Sequence, residues 1–348
     1  MTSYEISPFF FPTTVAFVDD SASFLDSLAL RLDSRLAFRL FNSPFSALVA
    51  LNGTNSMPPM VEDFFSLYRH RGECSYAHHV VDVNIDKIHR EVHNDQRFEQ
   101  ISVIVVDYDM PEMNGLEFCR NIKNPAVKKI LLTGKADEQI AVRAFNEKII
   151  DRFIRKQNAD VMTILNSAIA DLQTEYLRQI ENALLKVLAV GSHMFLFDPA
   201  FAHRFNEIRK KLGIVEHYLS CMPDGILMLD MSGVSHLLII QTEELIRGQC
   251  EIADDQAAPD GLLKQLRSGR HVPYFWKTAG NYSPVYEDWQ SYLHPSTEFK
   301  GNDWYLYTIV KNPPAFDLKY VVSYADYLDR LDSETRQGVS NASRHPSC

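Results

Sequence analysis

Residues 101–107, ISVIVVD, are apolar and mostly β-branched apart from Ser102, and the run ends in an acid. The absence of polar alternation is the pattern of a strand covered on both faces, as in a parallel sheet flanked by helices. VAFVD (15–19), FRLF (38–41), KKILLT (128–133) and DRFIRK (151–156) are further short strand-like runs. Between them, SASFLDSLALRL repeats Phe24, Leu25, Leu28 and Leu32 at helical spacing, and PFSALVAL, NGLEFCRNIK and DEQIAVRAFNEK read as further helices. Strand and helix alternating in this way predict a doubly wound α/β fold on a five-stranded parallel sheet. Such sheets carry their sites at the carboxyl ends of the strands. Asp19, Asp20, Asp107, Thr133 and Lys156 all stand at those ends.

Residues 52–98 interrupt the rhythm. They open on the breaker cluster NGTNSMPPM, continue through a polar, histidine-rich stretch and end in the partly helical VNIDKIHREVHNDQRF. We read them as an insertion into the first domain, residues 1–160, with the phenylalanines of MTSYEISPFFFPTT packing against that same domain. Residues 161–213 read as a helical linker whose apolar face is Val161, Leu165, Ala168, Leu172, Tyr176, Ile180, Leu184 and Leu188. A second, mixed α/β domain is expected over 214–331. It contains a hairpin from GILMLD (225–230) and SHLLIIQ (235–241), helices in TEELIRG and GLLKQLRSG, strands PYFWK (273–277) and WYLYTIV (304–310), and a closing helix to about Leu331. Residues 332–348 are expected to be a disordered tail.

Composition narrows the function. A net charge of −10, with 11 Lys and Arg against 18 Asp and Glu from Ile214 onward, argues against a protein built to grip phosphate backbones. No stretch reaches the roughly 18–20 apolar residues of a membrane span, and the N-terminus lacks the pattern of a secretion signal. The five cysteines are far apart and form no C-x-x-C, which suits a reducing cytoplasm. In the insertion, His70, Cys74 and His78, and His89 and His93, have the i, i+4 spacing of metal ligands on a helix. A tolerated insertion or a surface for partner choice or dimerisation is the preferred reading there.

The three carboxylates Asp19, Asp20 and Asp107 repel one another unless a hard divalent cation sits among them, and oxygen ligands favour Mg²⁺. Such an ion draws charge from an incoming phosphoryl group, while Lys156 and the Thr133 hydroxyl supply donors for its oxygens. The arrangement makes an aspartate nucleophile.

VDD, VVDYDMPEMNG, LLTG and FIRK together resemble the receiver domain of two-component response regulators. The resemblance implies phosphate transfer from a histidine kinase to Asp107, in a protein that catalyses its own phosphorylation and dephosphorylation but is otherwise a signalling protein. It also implies that Asp20 binds Mg²⁺ directly and Asp19 through water, and that the backbone carbonyl of Asp109 is a further ligand. Thr133 and Phe153 would form the switch pair. Three features depart from the family pattern. Gln157 replaces the proline that usually follows the lysine, so a trans peptide is expected there. The insertion makes the Asp20–Asp107 stretch nearly twice the usual length. Asp109 and Lys135 place opposite charges two residues after Asp107 and Thr133, where they are expected to meet across the pocket mouth and shield the phosphate from water.

CMPDGILMLDMSGVSHLLII is similar to the opening of a PAS domain, a sensor and interaction fold. The whole arrangement resembles the response regulators of α-hydroxyketone quorum sensing. That resemblance implies a cytoplasmic regulator that takes signals from more than one sensor kinase and dimerises on phosphorylation. Two other outputs stay open: a DNA-binding regulator, which the acidity disfavours, and a nucleotide or small-ligand sensor or enzyme.

Overall fold

The computed structural model describes residues 5–53, 64–69, 79–134, 138–189 and 193–342. The chain packs into two units, and neither is a continuous stretch. One comprises residues 12–60, 96–182 and 326–348; the other comprises 1–11, 61–95 and 183–325.

The first unit holds a five-stranded, wholly parallel sheet. Its order is Phe38–Phe41, Thr14–Val18, Ile101–Asp107, Lys128–Thr133, Arg152–Arg155. The first strand in sequence therefore lies inside the sheet, between the second and the third. Val15, Phe17, Val103, Val105, Ile130, Leu132 and Ile154 bury one face against Leu25 and Leu28 of helix Ala22–Ala29 and against Leu165, Ala168, Ile169 and Leu172. On the other face Ala16, Val18, Ile104, Val106 and Leu131 are also buried. Both faces are covered, which is why the Ile101–Asp107 strand has no polar alternation. The Ser21 hydroxyl caps helix Ala22–Ala29 by accepting from Phe24 N, and the Asn114 side chain caps helix Gly115–Arg120 by accepting from Leu116 N and Glu117 N.

Five of the expectations above change. Leu165, Ala168 and Leu172 of helix Val161–Leu188 are part of the first unit's core, so most of that helix is structural, and only its residues from 183 onward belong to the second unit. The final helix runs Tyr324–Ala342, past the predicted end at Leu331, and returns to the first unit. There Tyr327 is fully buried beside Phe98 and Arg330 pairs with Glu99 at 2.7 Å, and past Leu331 Glu334 pairs with Arg39 at 3.7 Å. Residues 343–348 of the predicted tail lie outside the described residues.

The N-terminal phenylalanines pack on the second unit, not the first. Phe9–Phe10 adds an edge strand there, with Phe9 opposite Tyr218 and Phe10 opposite His217. It satisfies the free backbone edge of strand Ile214–Cys221, and Phe9 packs against Phe11 and Phe64. Residues 61–95, the bulk of the insertion, also belong to the second unit. Helix Ile85–Arg90 buries Ile88 and the following turn buries Val92, apolar side chains that a solvated insertion would leave exposed.

The second unit is a six-stranded antiparallel sheet in the order Phe9–Phe10, Ile214–Cys221, Asp224–Asp230, Ser235–Thr242, Trp304–Lys311, Thr297–Lys300. The predicted hairpin supplies its third and fourth strands. Helix Pro199–Leu212, capped by Asp198 and ended by Gly213 at φ 67°, leads into it. PYFWK does not form the predicted strand. The strand ends at Pro273, Phe275 keeps only an isolated bridge to Gly280, and its ring joins a cluster with Tyr282, Tyr286 and Tyr292. No helix among the described residues is long and apolar enough to cross a membrane.

Candidate functional site

The parallel sheet brings the ends of its strands side by side, and the residues singled out in the sequence collect there. Asp19 follows the first strand and is buried, Asp20 beside it is exposed, and Asp107 closes the third strand with 8% of its surface exposed. One carboxylate oxygen from each of the three lies within 4.8 Å of the others, and no other such group occurs among the described residues. From the far side of the sheet Lys156 places its Nζ 2.8 Å from Asp19 Oδ2 and 2.9 Å from Asp107 Oδ1. Its backbone N–H donates to the Thr133 carbonyl at 3.0 Å, fixing the loop that carries it. The peptide between Lys156 and Gln157 is trans, the sole cis bond among the described residues being Met222–Pro223.

The remaining acceptors are oriented by backbone. Ser21 N donates to Asp19 Oδ1 at 2.9 Å and Tyr108 N donates to Asp107 Oδ1 at 2.8 Å. Burial pushes the Asp107 carboxyl above its ordinary pKa, against the pull of Lys156, and the neighbouring Asp19 charge adds to the rise. For Lys156, burial favours the neutral amine, but the two carboxylates outweigh it and hold the ammonium above its usual pKa. Lys156 is therefore a fixed positive charge on one side of an excess of negative charge.

The three carboxylates suit a hard cation. Their donor atoms are all oxygen, and a span of 4.8 Å is close to the ~4 Å that separates opposite ligands of octahedral Mg²⁺, within reach of small side-chain adjustments. Thr133 is fully buried, and its Oγ1 has no hydrogen-bond partner among the described residues. A buried hydroxyl left without a partner calls for an explanation, and an acceptor arriving at this pocket supplies one.

Asp109 is exposed on the loop after Asp107, and Phe153 is half-buried beside a cavity of about 210 Å³ shared with Arg155, Asn158 and Ile164. Lys135 lies outside the described residues, as do His70, Cys74 and His78. His89 stacks edge-on against Phe316, with burial lowering its pKa, while His93 is exposed.

Two contributors went unrecognised in the sequence. The Phe24 ring lies 4.4 Å from Lys156 Nζ, a cation–π contact that steadies the ammonium. Gly115 approaches the end of the third strand so closely that a Cβ there would stand 2.2 Å from the Asp107 carbonyl oxygen. The MNG segment hinted at the glycine, but nothing in the sequence marked Phe24 as more than core.

Comparison with known proteins agrees with this geometry. Residues 77–166 match the response regulator receiver domain family. The match begins after the greater part of the insertion, so Asp19 and Asp20 fall outside it. The structure of the Legionella pneumophila response regulator LqsR is similar over 95% of this chain and 98% of that one, with 36% identity and a TM-score of 0.74. An adenylate cyclase from Rhodopirellula baltica aligns with 51% of this chain and 98% of its own length, at 23% identity and a TM-score of 0.34. An uncharacterised protein from Neptuniibacter caesariensis aligns with 50% of this chain and 96% of its own, at 21% identity and a TM-score of 0.34. No curated protein matches at a comparable level. Parallel sheet, clustered acids, opposed lysine and near full-length similarity to LqsR converge on one assignment: the chain belongs to the response regulators and carries a receiver domain of that family.

Proposed function

We propose that the chain accepts a phosphoryl group on Asp107 from a histidine kinase, in a Mg²⁺-dependent reaction. The observation that carries this reading is the position of Lys156 Nζ, 2.8 Å from Asp19 and 2.9 Å from Asp107, beside a buried Thr133 hydroxyl that has no partner among the described residues. In the reaction an Asp107 carboxylate oxygen attacks phosphorus, the bond from phosphorus to the donor's imidazole nitrogen breaks, and that nitrogen takes up a proton. Lys156 stays protonated throughout and turns from the carboxylates toward the arriving phosphoryl oxygens. Thr133 donates its hydroxyl to another of those oxygens. Bound Mg²⁺ offsets the negative charge of both reactants. Asp20 and Asp107 would hold it directly, Asp19 through water, and the Asp109 carbonyl would complete the protein's share. Water attack on the phosphoryl group later restores the carboxylate, and Asp109 with Lys135 would shield the phosphate and slow that step.

Movement of Thr133 toward the phosphate opens space for Phe153 to turn inward, the two-state element of the switch. Helix Glu138–Asn146 exposes Ile140, Val142 and Phe145, and Ile164 is exposed on the long helix; these apolar side chains favour self-association as the response. Similarity to the response regulator LqsR along nearly the whole chain supports a regulator of this kind, and the resemblance of the arrangement to the regulators of α-hydroxyketone quorum sensing extends the proposal to a cytoplasmic protein of a quorum-sensing phosphorelay.

Light scattering after size exclusion, with Mg²⁺ alone and with Mg²⁺ plus beryllofluoride, tests the reading in wild type and Asp107→Asn. A mass that doubles with beryllofluoride in wild type alone is expected. An unchanged mass removes dimerisation from the proposal; lack of phosphorylation by acetyl phosphate or a kinase in wild type removes the proposal itself.

A further inference from the structure

In the second unit a cavity of about 260 Å³ opens between strands Asp224–Asp230 and Ser235–Thr242, helix Glu243–Asp255 and residues 279–281. Its chemistry is one-sided. Asp224 and Glu244 give it carboxylates, Ile239, Leu245 and Ile252 give it aliphatic walls, and no lysine or arginine among the described residues lines it. Gln241 is the residue that marks it as built to receive something. Its side chain is buried with 3% of its surface exposed, and its Nε2 donates to Gln249 Oε1 at 2.9 Å. Its Oε1 is left without a donor among the described residues, on a side chain that lines the cavity. Native proteins rarely bury an amide carbonyl unpaired, because its hydration is lost and nothing replaces it.

We propose that this cavity binds a small aliphatic amine. The ammonium group would answer the carboxylates of Asp224 and Glu244, one of its N–H donors would reach Gln241 Oε1, and the methylene chain would lie along Ile239, Leu245 and Ile252. Anionic ligands meet only like charge here. A neutral ligand would bring no charge to answer Asp224 and Glu244 as it displaced their water.

The site binds and does not react. Its one nucleophile candidate, Cys221, is held as the thiol: burial pushes its pKa up to about 12, and its Sγ donates to Asp86 Oδ1 at 3.1 Å. That contact also gives the site a handle. Asp86 lies in the helical part of the insertion, so the wall of the cavity is fastened to residues 61–95, which pack in the same unit. Asp224 is likewise braced, with His193 Nε2 3.3 Å from its Oδ1. The proposal is independent of phosphate acceptance at Asp107, which lies in the other unit.

Calorimetric titration of the full chain with n-butylamine and putrescine, at constant ionic strength, tests it against succinate and n-butanol of similar length. Saturable binding of an amine is expected, with no binding of succinate. Glu244→Gln, at an exposed position, and Asp224→Asn should each weaken amine binding at least tenfold, and Gln241→Leu should do the same while leaving a melting curve like that of wild type. Absence of amine binding, succinate binding as strong as the amines, or amine binding unchanged in folded Glu244→Gln and Gln241→Leu each overturns the proposal.

Discussion

The hydroxyls of Thr14 and Tyr327, 313 residues apart in sequence, lie 2.6 Å from each other inside the receiver unit. Thr14 Oγ1 donates to the Phe98 carbonyl at 2.7 Å, so Tyr327 must be the donor to Thr14. The last described helix is thus hydrogen-bonded to the amino-terminal end of an inner strand of the receiver sheet. Tyr327→Phe is expected to cost about 1 kcal/mol, and Tyr327→Ala about 3–5 kcal/mol through the cavity it leaves. Urea unfolding monitored on both variants checks this ordering; equal and negligible losses would show the helix to be dispensable.

Thr133 sets stability against function. Its buried hydroxyl has no partner among the described residues, a situation that costs about 1–3 kcal/mol. Thr133→Val keeps the shape and removes that cost, so the variant should unfold at higher denaturant concentration than wild type. Its labelling by acetyl phosphate should be slower, because one donor to the phosphoryl oxygens is gone. A variant that is both more stable and equally fast would separate Thr133 from the chemistry.

Gly115→Ala should damage the site without altering any of its charged groups. The added methyl would sit 2.2 Å from the Asp107 carbonyl oxygen and 3.0 Å from Leu131 Cδ1, so the helix start or the strand end must move. Overpacking of this kind costs about 1–3 kcal/mol. Phosphorylation should fall together with thermal stability, read by gel shift and by melting on the same sample.

Acid should weaken the second unit in particular. Burial holds His217 well below its ordinary pKa, with Arg209 adding to the effect, and burial also lowers His89 and His294. His217 Nε2 lies 3.0 Å from the Ser7 carbonyl oxygen and therefore carries the hydrogen, which leaves the buried Nδ1 as the atom that would have to accept a proton. The unfolded chain takes up these protons near pH 6.5 and the folded chain does not, so stability is complete above that pH and declines below it. Each such histidine contributes a slope approaching about 1.4 kcal/mol per pH unit. Melting between pH 7.5 and 5 should show the decline, and His217→Gln should flatten it.

How much of this was legible in the sequence depends on how local the signal was. The five receiver strands came from apolar runs, and their order placed Asp19, Asp20, Asp107, Thr133 and Lys156 together without knowledge of any contact. The carboxylates and the lysine advertise themselves; Phe24 does not, because a ring that holds an ammonium looks like any other core residue. The N-terminal phenylalanines show the limit most clearly. Phe9 pairs with Tyr218 at a separation of more than two hundred residues, and neither strand carries a mark of its register with the other. The helical part of the insertion was visible as a helix, but which surface would bury Ile88 and Val92 was not. PYFWK failed for a related reason: strand-forming residues there are claimed by the tyrosines of a later loop.

The boundaries between the units fall at residues 11/12, 60/61, 95/96, 182/183 and 325/326. Response regulators invite description as beads that evolution restrings, with one receiver exchanged for another ahead of any output. This chain is laced, not strung. Residues 1–160 cut out alone would carry an edge strand and a greasy insertion with nothing to cover, and would lack the helix that closes their own sheet. The second half alone would lose two of its own pieces. The two units of this protein are interleaved along one chain, and exchange of a module here requires five simultaneous splices rather than one.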